Sequence, residues 1–148
     1  SYAESIGVAY LSLHPDGRTM AEALIHEFSH NKINALLRLD PLLENAYHPL
    51  YSSPVRPDPR PLHGVLLAVH AFVPVARLYE RMMEAKDPRA STPDFRRRMG
   101  RIVAQNHEGT ETLREHARPT AVGRGVLDEL LLWDAHYSSL RDGAPSNA

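Results

Sequence analysis

The segment YHPLYSSPVRPDPRP, residues 47–61, carries five prolines. Each proline fixes φ and removes a backbone N–H, so no helix can pass through this stretch. The fold must therefore accommodate an extended, stiff connector in the middle of the chain. On both sides of it the sequence reads as helix. Before it, Thr19 with Glu22 three positions on has the capping-box spacing, and the helix it opens runs to about Leu39, where Asp40-Pro41 stops it. The apolar residues of that helix (Leu24, Ile25, Phe28, Ile33, Leu36, Leu37, Leu39) fall on nearly every side, which predicts burial on most faces. After the connector, a second helix is expected to open at Pro61 or Leu62 and to run through LHGVLLAVHAFVPVARLYERMMEA, kinked by Pro74.

Further signals complete the outline. Ser91-Thr92-Pro93-Asp94 is a helix start, and the third helix reaches about His116 with arginines on its exposed side. A fourth runs from about Thr120 or Gly125 to Leu140 around Leu127, Leu130, Leu131 and Trp133. Residues 5–13, SIGVAYLSL, are the strand candidate, followed by a turn at residues 14–17; residues 142–148 read as a disordered tail. At 148 residues, one domain is expected. Its expected class is mainly α, with a buried motif helix, a second histidine-bearing helix and at most a small β-strand pair. The chain begins without methionine, as an excised piece of a larger polypeptide or a trimmed chain would.

Charge is nearly balanced, 17 basic residues against 18 acidic. This argues against a broad nucleic-acid surface or a polybasic membrane patch. No run of transmembrane length and no signal-peptide pattern is expected, which makes the cytoplasm the expected compartment. The absence of cysteine removes disulfides and thiolate ligands. Any metal must then be held by imidazole and carboxylate, and nine histidines are available.

Two of those histidines stand four apart in LIHEFSHNKIN, residues 24–34. On a helix His26 and His30 lie one above the other, able to aim at one ion, while Glu27 is turned by about 100° from His26. Burying such groups without partners costs free energy, and a metal supplies a partner. With this many histidines the motif could also arise by composition alone. In zinc peptidases the glutamate of His-Glu-x-x-His is the general base on metal-bound water. The long zincin signature is excluded, because Ile33 and Leu36 stand where its glycine and third histidine would be.

Catalytic sites usually supply three protein ligands. The candidates for the third are His70, His63 and, for a peptidase, Glu80 or Glu84. His70 is favoured, since in LAVHAFV an imidazole has few other partners. Asn34, one turn beyond His30, is either a hydrogen-bonding neighbour of the site or an exposed helix residue. The arginines of Arg56-Pro57-Asp58-Pro59-Arg60-Pro61 are either solvated on a stiff connector or near the metal, where guanidinium would grip a carboxylate.

HEFSHNKINALL, followed by YSSPVRPDPRPLHGVLLAVHAFVPVARLY, resembles the HExxH-type peptide β-hydroxylases. These are iron- and 2-oxoglutarate-dependent enzymes that modify ribosomally made peptides, often fused to or encoded beside radical-SAM peptide-modifying enzymes. The resemblance covers roughly residues 20–80. It implies Fe(II) held by His26, His30 and a later histidine best matched by His70, with 2-oxoglutarate on the same ion. It also implies hydroxylation of a side-chain β-carbon in a precursor peptide, with a radical-SAM enzyme or domain as a possible companion. Arg60 and Arg56 fall in the family's loop and would meet the distal carboxylate of 2-oxoglutarate. Glu27 would sit beside the metal as ligand, neighbour or orienter of bound water. Three histidines depart from the usual two-histidine-one-carboxylate set for this chemistry.

Two other classes compete. One is a zinc peptidase with His26, His30 and a later glutamate as ligands and Glu27 as base. The other is a non-enzymatic module that holds a peptide or partner enzyme. His14, His48, His107, His116 and His136 are expected to face solvent, and Lys32 to lie on the surface or in a salt bridge. Arg96, Arg97, Arg98 and Arg101 are expected to be a solvated face or a docking strip for an acidic leader peptide or adjoining domain.

Overall fold

The computed structural model describes residues 7–53 and 56–142. Helix α1 spans Gly17–Leu37, strands β1 and β2 span Leu50–Ser53 and Arg56–Pro61, and α2 spans Leu62–Glu84. After a 3-10 turn at Pro88–Ser91 come α3, Pro93–His116, and α4, Ala121–Asp142. The domain is mainly helical with one small antiparallel strand pair, as the sequence predicts.

The helix starts follow their capping residues. Asp16 caps α1, its carboxylate accepting from the Thr19 N–H at 2.9 Å and the Thr19 hydroxyl at 2.7 Å, so the helix opens ahead of the predicted Thr19 cap. Thr92 caps α3, with Pro93 at the first helical position. Helix α2 opens directly after Pro61 and continues through Pro74, whose missing N–H leaves the His70 carbonyl without its helical donor.

Helix α2 is the centre, packed by α1, α3 and α4. One apolar cluster joins Ile33, Val65, Val69, Leu113, Leu127 and Leu130; a second joins Val75, Ala76, Tyr79, Phe95, Ile102 and Tyr137. Contrary to expectation, α2 is long and apolar enough to cross a membrane, but half of its most apolar window is buried inside the bundle. That is also the pattern of a core helix. Helix α1 departs from expectation too. Its buried residues are Ser29, Ile33 and Asn34, while Leu24 and Phe28 are 55% and 66% exposed. No element covers that face among the described residues.

The predicted strand at 5–13 does not form over residues 7–13, and residues 5 and 6 lie outside the described residues. An extended segment needs a neighbouring strand, and this one lies instead on α1. Asn31 accepts from the Gly7 N–H at 2.8 Å and donates to the Val8 carbonyl at 3.2 Å. The strand pair lies in the proline segment, with Leu50 opposite Pro61 and Tyr51 opposite Arg60. Prolines 57, 59 and 61 alternate, so their missing N–H groups all fall on one edge of β2, the condition under which a strand tolerates proline. The predicted tail lies outside the described residues from 143 onward.

Loop 40–46 is strapped to the α3–α4 junction. The Thr120 N–H donates to the Leu42 carbonyl at 2.9 Å, its hydroxyl to Asp40 at 2.5 Å, and the Arg118 N–H to the Asn45 side chain at 2.9 Å. Gly123 lies under the loop, where a Cβ would stand 1.8 Å from the Leu42 carbonyl oxygen. Only glycine fits there.

Candidate metal centre

His26 and His30 meet as their spacing predicts. Their Nε2 atoms are 2.8 Å apart, and the rings are edge to face at 4.3 Å between centroids. Phe72 of α2 closes against His26 at 4.9 Å. Burial makes protonation costly and pushes His30 down to about 4, helped by His26 and opposed by Glu27. His26 is lowered for the same first reason, burial, again against Glu27. Both imidazoles are therefore neutral at physiological pH, the form that offers a lone pair to a metal.

An ion ~2.1 Å from each nitrogen would see two atoms 2.8 Å apart at roughly 85°, whereas a tetrahedral angle would set them about 3.4 Å apart. The 2.8 Å is a hydrogen bond between the two rings, one Nε2 donating to the other, so it selects neither geometry; a metal taken up here would displace that proton. Among the described residues no histidine, aspartate or glutamate adds a third ligand atom within 4.8 Å of both nitrogens. Buried Nδ1 of His30 has no hydrogen-bond partner there either, unlike most ligating imidazoles, whose second nitrogen is held.

The other expected site residues are distributed around this pair. His70 is close enough to act electrostatically on His30, but its ring belongs to a cavity of about 200 Å³ with Lys32, Arg77, Glu129 and Trp133. Burial lowers it, Lys32 adds to the effect, and Glu129 and the Ser29 carbonyl oppose it; its buried Nδ1 is unpartnered. Asn34 is buried and lines a larger cavity, about 750 Å³, together with His63, Tyr47, His48, Arg38 and Arg118. His63 lies 5.3 Å from the Tyr47 ring and is lowered by burial. The two candidate third histidines thus occupy different cavities.

Glu27 stands off the histidine pair and acts on both imidazoles through its charge. Arg60 lies over the first turn of α2, its Cδ 3.6 Å from where a Cβ on Gly64 would be. Its guanidinium reaches Asp58 at 3.4 Å, and its buried Nε has no partner among the described residues. Arg56 pairs with Ser53 through the backbone register, and its side chain lies outside the described residues. Of the carboxylates considered for a peptidase, Glu80 is engaged elsewhere. It accepts from Arg77 at 2.5 Å, His136 at 2.8 Å and Tyr137 at 3.2 Å, and these bonds outweigh burial to lower its pKa. Glu84 pairs with Arg81 at 2.8 Å.

Some histidines expected in solvent have partners as well as exposure. His136 binds Glu80, and His116 stacks on Tyr51 at 4.5 Å. His107 Nδ1 lies 3.0 Å from Asp134, and a Glu111 oxygen joins them within 4.8 Å, a group able to hold a metal ion that the sequence reading missed. The His107–Glu111 spacing of four was visible in the sequence. Asp134 comes from another helix and was not. Arg114 already grips both oxygens of Glu111, at 2.9 and 2.5 Å, so this cluster is complete as an ion-pair network.

Compared with protein-family models and with curated proteins, the chain matches none.

Proposed function

We propose that this chain is an iron- and 2-oxoglutarate-dependent oxygenase that hydroxylates a side-chain β-carbon of a ribosomally made peptide. The convergence of two neutral, half-buried imidazoles on one side of α1, their Nε2 atoms in contact, carries this reading. The likeness of residues 20–80 to the peptide β-hydroxylases supports it and supplies the substrate class. His26 and His30 would hold the iron. Held there with 2-oxoglutarate, iron would supply the activation of dioxygen that couples hydroxylation of the peptide carbon to oxidative decarboxylation of 2-oxoglutarate to succinate and carbon dioxide. Phe72 walls His26 on one side. Glu27 raises the electron density seen by both rings without occupying the position between them.

The zinc peptidase reading needs a third ligand from a later carboxylate. Glu80 is held by Arg77, His136 and Tyr137. Among the described residues no further histidine or carboxylate stands within 4.8 Å of both nitrogens. Neither reading therefore has its third protein ligand in place, and the metal test decides between them. The test is metal analysis on anaerobically loaded protein, followed by succinate release. Wild type is expected to bind about one Fe(II) at this pair, and His26→Ala and His30→Ala are expected to lose it along with 2-oxoglutarate turnover. Peptide cleavage by the zinc-loaded protein, abolished in Glu27→Gln, would establish the peptidase instead.

A further inference from the structure

The N-terminal halves of α1 and α3 enclose a polar cleft of about 320 Å³. Arg18, Arg97, Arg98 and Arg101 line it, with Glu22 and Asp94 as the acidic groups. Two of the guanidinium groups are committed: Arg18 binds Asp94 at 2.9 Å, and Arg98 binds Glu22 at 2.7 Å while Tyr79 donates to the other Glu22 oxygen. Arg97 is 71% exposed and reaches Asp94 only at 3.8 Å, and Arg101 has no ion pair among the described residues. Four guanidinium groups against two carboxylates leave two positive charges facing the cleft. Arg97 and Arg101 are four apart, so both present their heads on one face of α3.

The cleft and the histidine pair share helix α1. Glu22 precedes His26 by four residues and His30 by eight, so all three lie along one side of α1. From Glu22 the distance to His26 is ~6 Å along the axis, and from Arg18 it is ~12 Å.

We propose that this cleft recognises an acidic side chain of the substrate peptide. The proposal rests on the peptide-oxygenase reading for what happens at His26 and His30. It rests on the cleft's own charge for what binds there. Guanidinium takes carboxylate in a two-point grip, and Arg97 and Arg101 are the groups with that capacity to spare. Arg18 and Arg98, braced by Asp94 and Glu22, shape the floor. A partner recognised this way binds more weakly as salt rises, because the cleft opens to solvent.

The test uses metal-free protein and a glycine-serine nonapeptide carrying two adjacent glutamates, compared with its glutamine counterpart, in an NMR titration. The glutamate peptide is expected to shift the amides of residues 18–22 and 97–101 and to bind at least about tenfold more tightly than the glutamine peptide. Arg97→Glu with Arg101→Glu should abolish that preference. Arg118→Glu with Arg124→Glu, the same charge change at the far end of α3 and the start of α4, should leave it within about twofold. Equal loss in both double variants would mean bulk charge alone, and would overturn the proposal. So would equal binding of the two peptides, or saturation by inorganic phosphate with no preference for glutamate. Since no metal is present, failure here leaves the iron chemistry untouched, and failure to bind iron leaves the cleft standing.

Discussion

Replacing Gly123 by alanine puts one methyl group where the fold has no room for it. The new Cβ would lie 1.8 Å from the Leu42 carbonyl oxygen and 2.7 Å from its carbon, both backbone atoms. Relief requires more than 1 Å of movement, and loop 40–46 cannot move freely. The Leu42 carbonyl holds the Thr120 N–H, and Asp40 holds both the Thr120 hydroxyl and the Leu42 N–H. Losing two of these bonds costs ~1 kcal/mol each, and residual overpacking adds ~1–3 kcal/mol, for a total of about 4 kcal/mol. Against a typical stability of ~5–15 kcal/mol, that lowers Tm by roughly 8–16 °C.

Gly125 is the internal control. It lies two residues further along the same helix, exposed, with nothing within 4 Å of an added Cβ. Alanine there should stabilise by ~0.5–1 kcal/mol through helix propensity alone. Thermal and urea unfolding followed by far-UV circular dichroism reads both. The two variants should move in opposite directions with an unchanged urea slope. A Gly123→Ala protein melting within a few degrees of wild type would refute the strapped-loop reasoning, because the loop would then be yielding without loss.

Other outcomes follow from the site. In metal-free protein His30 resists protonation down to about pH 4, while in the unfolded chain it protonates near 6.5. The unfolded state therefore binds more protons between those values, so stability should be full above ~6.5 and fall as pH drops toward 4. His30→Gln should flatten that part of the pH–stability curve measured by urea midpoints; an unchanged slope would place the acid sensitivity elsewhere. His70→Ala should retain iron, since its ring lies in the cavity beside Trp133, and so should His63→Ala, which would leave neither of the two histidines as the third ligand. Loss of iron in His70→Ala, by metal analysis, would show that its ring swings to the pair when the ion binds.

Local signals located most of the helices. Thr92-Pro93 opens α3, Pro61 precedes α2, and Asp40-Pro41 follows α1, because each acts through backbone groups within a few residues. The histidine pair was legible for the same reason: its geometry is internal to one helix. What sequence distance conceals is pairing across elements. Arg98 finds Glu22 at a separation of 76 residues, His136 finds Glu80 at 56, and His107 finds Asp134 at 27. Nothing near any of these histidines in the chain announces its carboxylate. The exposed Leu24 and Phe28 were misread because an apolar residue shows what a helix can bury, whereas burial also needs a neighbour to cover it.

Helix α1 is unusual in where it keeps its polar groups. Glu22, His26, His30 and Asn34 recur every four residues, each about 40° round from the last, along the side that meets the rest of the bundle. They touch, in order, the arginine cleft, each other, and the large cavity lined by His63 and Tyr47. Leu24 and Phe28, which would pack well, are left in solvent on other faces. A helix selected only for packing would place these two sets the other way round, because half-buried imidazoles and a buried amide cost free energy that leucine and phenylalanine would have contributed instead. The arrangement makes sense if this side must carry polar function along ~18 Å of helix, with an anion seat at one end and a metal-binding pair near its middle.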